Sequence, residues 1–141
     1  MTTPADLHDE RLGAFVHKSY WPGWEAELDR NGEAVVLVVS EADADTARAL
    51  LPRLGGVVED LTSVSRAGIR YLVDQLSTEP VAEVEYVEAY TDLAVTDVVV
   101  DATGTVTIHF SDGCGEHFLD GYWPSVSFDA ANEPVSWSLE A

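Results

Sequence analysis

Asp112, Cys114, Glu116, His117 and Asp120 put a thiol, an imidazole and three carboxylates within nine residues, on a segment rich in glycine. Two chemistries use such groups. A metal ion would take Cys114, His117 and a carboxylate, but structural zinc asks for four ligands and one Cys-x-x-His pair supplies two. His8, His17 and His109 are scattered along the chain without ligand spacing. A cysteine nucleophile would need His117 or His109 held in line as its base. It would also need a cationic neighbourhood that favours the thiolate, whereas Cys114 is ringed by acids. The plainer reading is a glycine-rich turn between two strands, its acidic side chains facing water. The expectation is no catalytic residue, no metal and no cofactor. A small metal- or thiol-dependent enzyme centred on residues 112–121 is the alternative.

Aromatic residues offer a different function. Trp21 and Trp24 flank a Pro22-Gly23 turn, and Tyr122 and Trp123 stand just before Pro124. Trp and Tyr are enriched among residues that dominate binding energy, so aromatics ringed by acids suit a basic partner. The candidate binding residues are therefore Trp21, Trp24, Tyr122 and Trp123, with Glu116, His117 and Asp120 from the neighbouring loop. The competing reading places these aromatics in the core or over a sheet edge. Carboxylates are too abundant for a pair at glycosidase spacing to carry information. No phosphate-binding glycine loop, no Ser-His-Asp order and no basic patch is found.

Charge sorts the partners. Seven Lys+Arg face 26 Asp+Glu, a formal net charge of −19. Binding to phosphate backbones requires Lys and Arg to displace counterions, so nucleic acid and anionic lipid are excluded as partners. A basic protein is attracted and steered instead. Solubility, or a host with an acidic proteome, would also account for the charge. One cysteine rules out an internal disulfide framework. No run approaches the roughly 18 apolar residues of a membrane-spanning helix. Residues 1–11 carry neither the basic nor the apolar region of a secretory signal, so a cytoplasmic location is expected. A monomer or small homo-oligomer is anticipated.

These groups must be positioned by a single domain, 12–141, after a loose leader over 1–11. Leu12–Tyr20 is strand-like. Trp24, Ala26 and Leu28 alternate with Glu25, Glu27 and Asp29, the signature of a half-buried strand. Asn31-Gly32 supplies a hairpin turn, and the valine-rich run Glu33–Ser40 fits a strand buried on both faces. Ser40 with Asp43 makes an approximate helix cap. A helix follows from about Glu41 to Leu54, with Pro52 and Gly55-Gly56 marking a kink or an end. A second helix from about Val57 to Leu76 carries one apolar face, on which Gly68 permits close approach to a strand. Val81–Asp92 reads as a loop with one helical turn. Leu93–Asp101 and Thr105–Ser111 form a hairpin, and Tyr122–Phe128 and Val135–Leu139 another. The fold class is α+β: β-β-β-α-α-β-β-β-β, an antiparallel sheet of about six to seven strands with two helices packed on one face.

This order resembles a group of uncharacterised small acidic bacterial proteins, domains of unknown function, some of them grouped with immunity proteins of polymorphic toxin systems. The likeness rests on Leu12 to Phe15, on the strand-then-helix passage from Trp24 to Leu76, and on the ending. That ending runs from Asp101 to Gly104 through Ile108 to Phe110, Asp112-Gly113 and Gly115 to His117, then to Val126 and Trp137. It covers about residues 12–140, and its motifs are short. Glu116, standing between glycine and histidine, departs from the group's pattern. The resemblance implies an α+β fold and a protein-binding role, with no catalytic residues to carry over. Together with the charge of −19 it leads to the expectation of a non-enzymatic acidic binding protein of the toxin-neutralising kind.

Overall fold

The structure, a computed structural model, describes residues 7–17, 23–30, 32–41, 43–112 and 123–140. Among them lie eight strands and three helices, in the order β1 (Leu7–Asp9), β2 (Gly13–His17), β3 (Trp24–Arg30), β4 (Glu33–Ser40), α1 (Ala44–Glu59), α2 (Leu61–Leu76), α3 (Glu83–Asp92), β5 (Leu93–Asp101), β6 (Val106–Asp112), β7 (Trp123–Phe128) and β8 (Pro134–Glu140). The strands stand in the sheet in their sequence order. Every neighbouring pair is antiparallel except β4 and β5, which are parallel. A parallel pair needs a long crossover. The three helices provide it.

Alternation decides which face each residue takes. Trp24 and Ala26 of β3, Val35, Leu37 and Val39 of β4, and Val98 and Val100 of β5 are buried on one side. Val106, Ile108 and Phe110 of β6 and Val126 and Phe128 of β7 continue that layer, and all join one core with Leu51, Leu54, Val57, Leu61, Val64, Ile69 and Leu72 of the helices. The opposite side of the sheet carries Glu25, Glu27, Val36, Asp97 and His109, and none of these belongs to the core. The valine run of β4 is explained by its central place: Val38 is also buried, but on the helix-free side and outside the core cluster.

Helix boundaries follow capping and packing more than the glycines and proline. Asp43, not Ser40, caps α1, accepting the Thr46 N–H and the Thr46 hydroxyl, each at 2.9 Å. Pro52 and Gly55-Gly56 lie inside α1, which ends only at Glu59. An interior proline costs about 3 kcal/mol, and the burial of Leu51, Leu54 and Val57 around it offsets that cost. The two helices meet at Asp60, whose N–H turns back to the Val57 carbonyl at 3.2 Å. Gly68 of α2 faces the sheet as expected: a Cβ there would lie 2.7 Å from Phe128 Cζ.

Three further expectations are corrected. The sheet has eight strands instead of six or seven, because β1 begins at Leu7, inside the stretch read as a leader. Leu7 is 1% exposed and so belongs to the core. Residues 81–92 contain a full helix, α3, instead of a loop with one turn. The Ala82 N–H donates to Glu85 Oε2 at 2.8 Å to start it, and Tyr86 and Ala89 are its buried side. Its glutamates mimic strand alternation in the sequence, yet they occupy the exposed side of the helix. The all-antiparallel sheet gives way to one parallel pair, since the helices return the chain to run alongside β4.

Candidate functional site

The helix-free side of the sheet is ordered in rows. Glu27, Val36, Asp97, His109, Ser125 and Ser138 are register partners across β3 to β8. The adjacent row is Glu25, Val38, Val99, Thr107, Ser127 and Ser136. Thr107 and Ser127 hydroxyls are 2.9 Å apart in that row. Directly opposed side chains in a sheet sit about 5 Å apart at Cβ, so each row is a continuous strip of neighbours. Acids occupy the β3 end (Glu25, Glu27, Asp29) and the centre (Asp97), while hydroxyls occupy the β7 and β8 end. Among the described strand residues no Lys or Arg lies on this face. Arg30 turns to the other side, where it meets Thr62 of α2.

A depression of about 430 Å³ opens on this face, lined by Thr96, Asp97, His109, Ser111 and Trp123. Its floor is shaped by an irregularity in β5 between Val95 and Asp97, where Thr96 donates its hydroxyl to the His109 carbonyl at 3.2 Å. Trp123 stands at the rim with 55% of its surface exposed. The row presents the carboxylate of Asp97, the imidazole of His109 and the hydroxyl of Ser125 together on one face.

Of the residues singled out in the sequence, Trp123 lies at this depression. Trp24 does not: it is fully buried in the core, its ring meeting His17 edge-on with centroids 4.9 Å apart. Alternation puts it on the helix side with Ala26, so it packs the core and is closed to a partner. Trp21, Cys114, Glu116, His117, Asp120 and Tyr122 lie outside the described residues. Asp112 closes β6, its backbone in register with Leu93. Sequence reasoning missed Asp97 and Ser125, and it weighed His109 only as a ligand or a base. The signal was present: once Val98 and Val100, or Ile108 and Phe110, are assigned inward, Asp97 and His109 must point outward.

Among the described residues no group of three or more His, Cys, Asp or Glu side chains is placed to hold a metal ion. Among the described residues no helix is long and apolar enough to cross a membrane. Comparison with known proteins finds no matching family model, no matching curated protein and no matching solved structure.

Proposed function

We propose that this protein is a non-enzymatic acidic binding protein whose helix-free sheet face takes a basic protein partner, in the manner of a toxin-neutralising protein. The observation that carries the reading is the face itself. Glu25, Glu27, Asp29 and Asp97 share it with the exposed Trp123. The formal charge of −19 extends that attraction beyond contact distance. Fields of this kind mainly accelerate encounter with a partner of opposite sign, while a desolvated aromatic supplies lasting affinity. A sheet backed on its other side by three helices is a pre-organised platform, which reduces the ordering cost of binding.

The experiment is affinity capture with wild-type protein and with a Glu27→Lys/Asp97→Lys double variant, at low and at physiological salt. The reading expects a basic protein on the wild type at near one-to-one stoichiometry, strongly reduced on the variant. Capture that ignores both salt and charge reversal sinks it.

A further inference from the structure

With seven Lys+Arg against 26 Asp+Glu in the chain, a guanidinium without a carboxylate partner stands out. Arg11, Arg48 and Arg70 pair with Glu59, Asp45 and Glu83 at 2.9, 2.9 and 3.4 Å. Arg53 is committed to oxygens of two turns. Arg30 and Arg66 differ from all of these. Arg30 faces Glu33 in register across the β3–β4 hairpin, yet it donates to the neutral Thr62 hydroxyl at 2.5 Å. Arg66 lies over the Tyr90 ring, 5.3 Å from its centroid. Neither forms an ion pair among the described residues.

Both line one groove of about 360 Å³, where α2 passes the end of α3 and the β3–β4 hairpin. The groove also presents the hydroxyls of Thr62 and Tyr90 and, as the single carboxylate among its described lining residues, Glu33. A guanidinium has five N–H donors, and its planar fork matches the two oxygens of a carboxylate or phosphate. Arg30 spends one donor on Thr62, and Arg66 gives its face to Tyr90, so most of their donors remain for a ligand. Two guanidiniums against one carboxylate give the described lining a positive balance on a molecule of formal net charge −19.

We propose that this groove binds a small oxyanion, a carboxylate or a phosphate group, held by Arg30 and Arg66. It lies on the helix side of the sheet, away from the acidic face, so its occupant does not compete with a basic partner there. Its hydroxyl-rich lining favours a compact polar anion over one with a long apolar tail. Tyr90 fixes Arg66 from below, and its own hydroxyl accepts from Arg70 at 3.3 Å, which sets the ring in place.

The test is titration of the full chain with inorganic phosphate and, separately, with succinate, at constant ionic strength balanced by chloride, followed by backbone amide NMR and calorimetry. One of the two is expected to bind saturably, with shifts confined to residues around 30–33, 62–66 and 90–95. The stronger of the two identifies the ligand as phosphate-bearing or carboxylate-bearing. Arg30→Gln and Arg66→Gln should each weaken it by about tenfold or more, as loss of a charge-assisted fork implies. Arg66 is exposed, so Arg66→Gln keeps the fold, which circular dichroism verifies. Binding of neither anion above chloride, or equal binding by folded Arg66→Gln protein, overturns the proposal.

Discussion

Arg53 of α1 donates to the side-chain oxygen of Asn132 at 2.5 Å, across 79 residues of sequence. Asn132 has a positive φ of 61°, a conformation that asparagine tolerates better than most residues, and it turns the chain from β7 into β8. The same guanidinium donates to the Gly104 carbonyl at 3.0 Å, in the β5–β6 turn, and to the Asp129 carbonyl at 2.5 Å. Burial pulls its pKa below the usual arginine value, and the Asp129 charge opposes that pull. One side chain thus ties the helical crossover to two hairpin turns of the sheet.

Removing that tie should be costly. Arg53→Ala leaves three turn oxygens without their charged donor, and hydrogen bonds to charged groups contribute about 1.5–3 kcal/mol each at most sites. Water reaches these turns, so a net loss of about 2 kcal/mol is expected. Urea unfolding measures it, as a lower midpoint with an unchanged slope.

Gly68→Ala tests the contact between α2 and the sheet. Alanine gains up to about 1 kcal/mol of helix propensity over glycine. Its Cβ would nevertheless press on the Phe128 ring at 2.7 Å, while its distances to Val126 Cβ (3.5 Å) and Phe110 Cζ (3.6 Å) are ordinary contacts. Phe128 is fully buried, so its ring cannot swing out to solvent. Overpacking costs about 1–3 kcal/mol, so the variant should be less stable despite the better helix former. Thermal unfolding should place Gly68→Ala below wild type, and adding Phe128→Leu should recover part of the loss relative to Phe128→Leu alone.

Acid should weaken the α1 cap. The Thr46 backbone N–H, and then its hydroxyl, lower the Asp43 pKa. A depressed folded-state pKa contributes stability that is present above the unfolded value, near pH 4, and is lost as pH falls through the folded value. Asp43→Asn keeps an acceptor at the cap but does not titrate. Stability curves from pH 2 to 7 should therefore show wild type losing its advantage over Asp43→Asn below about pH 4. Parallel curves throughout would contradict the cap's charge dependence.

Much of the sheet is legible in the sequence because half-buried strands advertise themselves through alternation. Trp24, Ala26 and Leu28 against Glu25, Glu27 and Asp29 specify both the strand and its faces. What stays hidden depends on distant partners. Pro52 reads as a stop because its local cost is visible, whereas the packing of Leu51, Leu54 and Val57 that outweighs it is not. The glutamates of α3 suit a strand or a helix equally, and only the contact of Tyr86 with α2 decides; its hydroxyl donates to Asp74 there, and Arg70 lies 3.9 Å above its ring. The parallel joining of β4 and β5 has no local signature at all. At the candidate site, Trp123 stands out by residue type, while Asp97 and Ser125 acquire meaning only when register places them beside His109.

Trp123 should matter for binding and little for folding. It is 55% exposed at the first position of β7. Trp123→Ala is expected to lower affinity for a basic partner by about 2 kcal/mol, the scale of an interface hot spot. Its unfolding midpoint should stay close to wild type, since exposed substitutions usually fall within about ±0.5 kcal/mol.

The most direct test of the acidic-face account compares three proteins in capture from native lysate, with bound chains identified by mass. They are wild type, Glu27→Lys/Asp97→Lys on the helix-free face, and Glu88→Lys/Glu79→Lys, which makes the same charge change away from that face. The account predicts that one basic protein is retained by wild type and by the second variant, and is lost from the first. Equal retention by all three, or equal loss from both variants, would contradict it, because binding would then ignore the face or respond to net charge alone.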